Sequence, residues 1–395
     1  VIALNFSSSM PLFRLAMMPF LLCLLVFSCV DSPQLPRTDI YTLKQYKQLT
    51  INDTFLSNAS YCIQEIEDKG RDYLIFTKQL NLLVYDIASS KVIRSIPLPK
   101  DKSLKSNTFN YVFINTDSIY VIPFMHQKAK SILLIDSKGN LKKEIDAGKV
   151  KDLNQEQISC IFCNGNLPMY YQHQLFLPNR SIYSATSTQY YDKLHTFQIQ
   201  IDLQTEEYKL IEGKYPDLYS GSLWNREYFA EMDAEGRLIM SFASSPQLVV
   251  KDIKKNSQER LIDASSKFFD EVKPLDSWED WEVKKTYHLQ EAYYQYIVYD
   301  KYRQVYYRFA FLPTNWENSK GSKQEKEEYD KPFSIIILNK YFQIIGETRF
   351  AGGSYVNGAF FVGKAGLYLL DRQTFLGESS KKGIYLFHIF QLEKL

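Results

Sequence analysis

Cysteine, histidine and net charge are all scarce in this chain. It has 5 Cys and 5 His in 395 residues, and 47 basic against 45 acidic side chains leave a formal charge of only +2. Without a concentrated basic face there is no electrostatic case for nucleic acid as a partner. After Cys29 only Cys62, Cys160 and Cys163 follow, too few for a disulfide framework. Cys160-Ile-Phe-Cys163 has the spacing of half a zinc site or a redox pair. No second pair exists, and the nearest histidine, His173, lies in a strand-like segment, so core thiols or a local disulfide are expected. His126, His173, His195, His288 and His388 form no ligand pair by spacing; neither a metal nor a cofactor is expected. The GxSxG elbow, the P-loop, a GxGxxG turn after a strand and HExxH are all missing, which argues against the enzyme classes they mark.

The chain also has no apolar run comfortable as a membrane span. The run from Leu15 to Phe27 follows Arg14, contains Pro19 and ends at Ser28-Cys29. Its length and its proline read as a signal-peptide core, with Met10 opening the basic region. Leu25-Val26-Phe27-Ser28-Cys29 is similar to a bacterial lipobox, although Phe27 is bulkier than the tightest form of that motif. The expected plan is a signal peptide with lipobox over 1–29, a tether over 30–38 and one domain over 39–395. Lipid on Cys29 would hold that domain at a membrane surface without a span. The expected address is the cell envelope, as an exported lipoprotein on a periplasmic or surface face of the outer membrane.

Aromatic residues, in contrast, are plentiful: 29 Tyr and 26 Phe, types suited to pleated, half-buried surfaces. They fall in a repeat. Ile132–Ile145 reads as an apolar strand, a tight turn opened by Asp136 and an alternating polar strand. Near-copies place the turn-opening residue at Asp86, Asp202, Asp252 and Asn339, in steps of 50, 66, 50 and 87 residues. Each copy follows a second hairpin, as in Tyr111–Phe124, Tyr228–Phe242 and Tyr296–Phe309. Four short strands separated by Asp, Asn and Gly turns form the meander of a propeller blade, and such units must stack around an axis to bury both faces.

The expected fold is therefore all-β: a single propeller of six four-stranded blades, at about 61–97, 109–147, 158–212, 224–263, 291–350 and 354–392. The last unit lacks a fourth strand. Leu43–Ile51 supplies one, so the ring is closed by an N-terminal strand paired with Ile384–Phe390. Seven blades would require a degenerate unit within 150–166 or 264–290. Two insertions interrupt the pattern. Asp263–Ala292 mixes acidic and aromatic residues and suits a short helix on one face; Thr314–Pro332 is a charged, turn-rich loop.

The segment Tyr296–Pro313, with the lipobox, Ser222–Phe229 and Phe361–Leu370, resembles a family of Bacteroidetes lipoproteins of unknown function, DUF4221, over about residues 30–392. The resemblance implies a propeller-type envelope protein and carries over no activity and no catalytic residues.

Candidate ligand-binding residues follow from residue type. Trp278, Trp281 and Asp280 combine aromatic platforms with a carboxylate, chemistry that suits sugars; the bland reading is an acidic face pinned by its tryptophans. Trp224 and Arg226 lie in the Ser222–Phe229 stretch. One of Arg303 and Arg308 could reach a central channel as an anion or carboxylate clamp; equally, a buried arginine could bond a neighbouring blade's carboxylate. The repeated aspartates are read as turn formers rather than calcium ligands. The resulting expectation is a monomeric, non-enzymatic binding or scaffold module for an envelope protein, a peptide or a glycan. The alternative is a carbohydrate-active hydrolase or lyase using carboxylates and aromatics near the axis.

Overall fold

The computed structural model describes residues 39–57, 63–99, 109–123, 131–146, 167–179, 187–255, 258–315 and 330–395. The lipobox with Cys29, the tether over 30–38, Cys62, Cys160, Cys163, His126, the 150–166 stretch and most of the 314–332 loop lie outside them. Asp39–Leu395 forms one compact unit.

Among the described residues twenty-four strands make six four-stranded antiparallel sheets arranged in a ring, a six-bladed β-propeller. Blade one holds β2 (Gln64–Asp68), β3 (Arg71–Lys78), β4 (Asn81–Asp86) and β5 (Lys91–Pro97). Blade two holds β6 (Phe109–Asn115), β7 (Ser118–Pro123), β8 (Ser131–Ile135) and β9 (Leu141–Asp146). Blade three runs through β10 (Met169–Tyr171), β11 (Gln174–Pro178), β12 (His195–Asp202) and β13 (Tyr208–Gly213). Blade four has β14 (Tyr228–Met232), β15 (Arg237–Phe242), β16 (Gln247–Asp252) and β17 (Arg260–Asp263). In blade five come β18 (Tyr293–Asp300), β19 (Val305–Phe311), β20 (Phe333–Asn339) and β21 (Ile344–Phe350). Blade six joins β22 (Tyr355–Gly363), β23 (Gly366–Asp371) and β24 (Ile384–Lys394) to β1 (Tyr41–Asn52).

The expected closure is present: β1 pairs antiparallel with β24, from Tyr41 opposite Lys394 to Ile51 opposite Tyr385. No edge strand of blade six is left open at that seam. The segment 264–290 is not a seventh blade. Apart from one isolated bridge, Leu275 to Leu223, it is loop and then helix α1 (Trp281–Gln290), which meets the expectation of a short helix.

Local chemistry explains the regularity. In every turn between third and fourth strands for which the repeat named a residue, its side chain accepts from backbone amides just ahead. Asp136 Oδ1 takes Lys138 and Asn140 N–H at 2.8 and 2.9 Å, Asp202 takes Gln204 and Thr205, and Asn339 takes Tyr341 and Gln343. Asp86 accepts from the Ala88 amide and Asp252 from the Lys255 amide in the same way. These side chains are spent on turn formation, and all five turns fall on one face of the ring by antiparallel alternation. The connections to the next blade fall on the opposite face, where the 264–292 insertion sits. Glu347 anchors that insertion by accepting from Ser266 Oγ at 2.6 Å and Lys267 N–H at 2.8 Å.

The core lies between blades rather than in one central mass. Alternation in each strand sends one set of side chains to the blade before and the other to the blade after. Thus Tyr228, Ala230 and Met232 join the core shared by blades three and four, while Phe229 packs into that of blade five.

Candidate axial site

The first strand of each blade borders the axis, and these strands contact one another around the ring. They enclose a cavity of about 580 Å³, lined from all six blades, within the size range of small-ligand sites. Its ionisable groups are Glu65 and Glu67 from β2, Glu231 from β14 and Lys301 from the turn after β18. Tyr111, Tyr170, Tyr299 and Phe360 supply aromatic wall.

Glu231 follows from the alternation just described: it points away from the blade three–four core and toward β18. One carboxylate oxygen accepts from its neighbour, the Met232 N–H, at 2.9 Å. Burial pushes its pKa up to about 7, with the amides of Met232 and Tyr299 opposing and Asp233 adding to the rise. Desolvation disfavours the ionised form, so this carboxyl holds its proton to higher pH than a solvated one.

Glu65 comes from blade one, opposite blade four in a ring of six. Tyr302 donates its hydroxyl to Glu65 Oε1 at 3.0 Å, and Lys301 Nζ lies 3.5 Å from Oε2. Burial raises the Glu65 pKa, with Lys301 and Tyr302 pulling it back. Beside it, Gln64 brackets the Phe113 backbone, accepting its N–H at 3.0 Å and donating to its carbonyl at 3.3 Å, which fixes blade one to blade two.

The residues singled out from sequence fall elsewhere. Trp224, Arg226 and Trp278 come together above blades three and four. Trp278 Nε1 donates to the Trp224 carbonyl at 2.9 Å, the Tyr191 hydroxyl bonds that carbonyl too, and the Arg226 guanidinium lies 5.3 Å from the centre of the Trp278 ring. Trp224 is buried among Tyr191, Tyr219 and their neighbours. Trp281 does not share that surface and is 67% exposed. The reason is Asp280: its side chain accepts from Glu282 and Val283 N–H and caps the helix, so Trp278 lies before the first turn and helical spacing does not join the two rings.

Arg303 bonds Asp300 at 3.0 Å and reaches the Lys364 carbonyl at 2.7 Å, tying blade five to blade six. Arg308 is wholly buried. It donates to Ser241 Oγ and to the carbonyls of Pro246, Ala264, Phe242 and Ser245, with its guanidinium 3.8 Å from the centre of the Tyr294 ring. Burial lowers its pKa to about 10. Of the two readings of a central arginine, Arg308 takes the structural one, with backbone carbonyls in place of the neighbouring carboxylate. No group of three His, Cys, Asp or Glu suited to a metal occurs among the described residues.

Sequence reasoning passed over Glu65 and Glu231. For Glu231 the available signal was a lone carboxylate inside an otherwise apolar first strand, Tyr228-Phe-Ala-Glu231-Met232; Glu65 shares its strand with Glu67 and Asp68 and gave no such contrast.

Fold and cavity together define a six-bladed β-propeller with an axial pocket. Within that class the chain belongs to the DUF4221 family, a domain of unknown function whose model matches residues 41–349. It is similar to the crystal structure of a DUF4221 family member from Bacteroides vulgatus ATCC 8482, with a TM-score of 0.73 and 23% identity over 91% of this chain and 100% of that one. A protein of Bacteroides fragilis NCTC 9343 aligns over 90% of this chain and 96% of its own at 12% identity and a TM-score of 0.48. Kluyveromyces lactis Hsv2 aligns over 86% of this chain and 85% of its own at 10% identity and a TM-score of 0.36. No curated protein gives a significant match.

Proposed function

We propose that this protein is a non-enzymatic binding module of the cell envelope, tethered by lipid at Cys29, whose glycan, peptide or protein-segment ligand is received at the axial cavity. The observation that carries the reading is the cavity itself: about 580 Å³ bordered by all six blades, apolar and aromatic in its walls with a few convergent polar groups, the make-up of a ligand site. The lipid tether rests on the 25–29 sequence. A glycan-array and polysaccharide pull-down screen with residues 39–395 tests the binding reading, and Cys29→Ser with globomycin-sensitive processing tests the tether. Saturable capture that a cavity substitution such as Tyr299→Ala abolishes supports it; a hit indifferent to every cavity substitution removes the axial site.

One observation favours a second reading, a carbohydrate-active hydrolase or lyase. Glu231 and Glu65 border one cavity from opposite blades, and Glu231 is available as a proton donor near neutral pH, the pairing that glycosidic acid–base chemistry needs. New reducing ends released from a bound polysaccharide, and lost in Glu231→Gln, would establish it.

A further inference from the structure

We infer that the axial cavity takes a ligand bearing an ammonium group, seated against the carboxylate of Glu231 and the surrounding aromatic rings. The inference rests on the binding reading above and narrows it to a chemical class. Three observations carry it. Among the described residues the cavity is bordered by three carboxylates, Glu65, Glu67 and Glu231, and by one basic side chain, Lys301; Glu67 is paired from outside the lining by Lys364 at 3.2 Å. Lys301 lies against Glu65, and no basic side chain among the described residues forms an ion pair with Glu231. Tyr111, Tyr170, Tyr299 and Phe360 border the same space, and aromatic faces attract organic cations that carboxylates also hold. Lys301 and Tyr302 already show the chemistry in miniature, an ammonium and a hydroxyl meeting a cavity carboxylate.

A carboxylate facing such a cavity away from bulk water is costly to ionise unless a cation joins it. Binding of an ammonium therefore favours ionised Glu231 and weakens as pH falls through its pKa. The charged and titratable groups that line the cavity with Glu231 are Tyr299 and Lys301 from β18 and its turn, Glu65 and Glu67 from β2, Tyr111 from β6 and Tyr170 from β10; Asp233, on the turn after β14, is held by Arg237 at 2.5 Å. The segment of β22 at the cavity contributes only Phe360, Phe361 and Val362.

Isothermal titration calorimetry of residues 39–395 with cadaverine and choline as ammonium probes, and glucose as the neutral control, tests this at about pH 8.5 and about pH 5.5. The expected result is saturable binding of an ammonium probe that weakens about tenfold or more at the lower pH. Glu231→Gln should lose about tenfold or more in affinity and lose the pH dependence, with a melting temperature no lower than that of wild type at the higher pH. The wild-type pH profile decides the matter if that variant does not fold. Ammonium binding that ignores both pH and Glu231→Gln overturns the inference. If both amines fail while glucose or a glycan from the screen binds, the cationic class falls and the binding reading stands. If nothing binds, both fall.

Discussion

Lys301 of blade five places its ammonium 3.5 Å from the carboxylate of Glu65 in blade one, although blade six stands between those blades. The contact is possible only because the first strands converge on the axis. Tyr302 adds a hydroxyl at 3.0 Å, so two consecutive turn residues reach across the inner seam of the ring. Lys301 is half exposed, and its ion pair is correspondingly weak; the tyrosine hydroxyl contributes the firmer bond. Tyr302→Phe should therefore cost about 1 kcal/mol, read from urea unfolding, and Lys301→Met less than that.

Glu231 gives stability a definite pH dependence. Its folded pKa of about 7 lies above the ordinary 4.5, so the folded state holds the proton more tightly than the unfolded chain. Its contribution is fully present below about pH 4.5 and is lost as pH rises through about 7. Glu231→Gln should thus be more stable than wild type at alkaline pH, by on the order of 2–3 kcal/mol. Chemical denaturation of both proteins at about pH 5 and about pH 9 checks the sign; a variant less stable than wild type at the higher pH would contradict it.

Arg308 should be among the costliest residues to replace. Removing its guanidinium takes a donor from the carbonyls of Phe242, Ser245, Pro246 and Ala264 at the blade four–five junction, although those of Phe242 and Pro246 keep the amides of Ser245 and Ala264. Arg308→Ala is expected to lose at least about 3 kcal/mol. Arg308→Lys should recover little, because an ammonium cannot reproduce the planar fork. Equal stability of the lysine variant would show that charge alone matters there.

The two insertion tryptophans should behave differently. Trp278→Ala loses the bond to Trp224 and its packing on the aromatic cluster, a cost of about 2 kcal/mol or more. Trp281→Ala, at an exposed position, should change stability by no more than about 0.5 kcal/mol. If the insertion is itself a sugar platform, Trp281→Ala is the variant that weakens capture on the array without touching the fold.

What the sequence made legible was whatever repeats locally. Asp136 opens a turn by binding amides two and four residues ahead, and such a signal needs no knowledge of the rest of the chain. Five copies of it, with alternating strands between, gave the blade count and the need for a closing strand at 43–51. The site was harder to see because it depends on where faces point. Arg303 and Arg308 look equivalent in a strand–turn–strand run, yet one lies in the turn and bonds blade six while the other is buried against blade four. Trp278 and Trp281 are three residues apart, but a cap between them separates their surroundings. Glu231 became notable only when six first strands, distant in sequence, were brought around one axis.

The seam between β1 and β24 also sets an order of events. Gln48 and His388 hydrogen-bond at 3.2 Å across 340 residues of chain, so β1 must wait for a strand made some 340 residues after it. Until then the strand from Tyr41 to Asn52 has no partner at its β24 edge, and blade six is half built. Closing so long a loop is slow rather than prohibitive, since its entropic cost grows only logarithmically with length. Once made, the junction is where mechanical unzipping of the ring should begin, because the two strands are held together by pairing alone and by no continuous backbone.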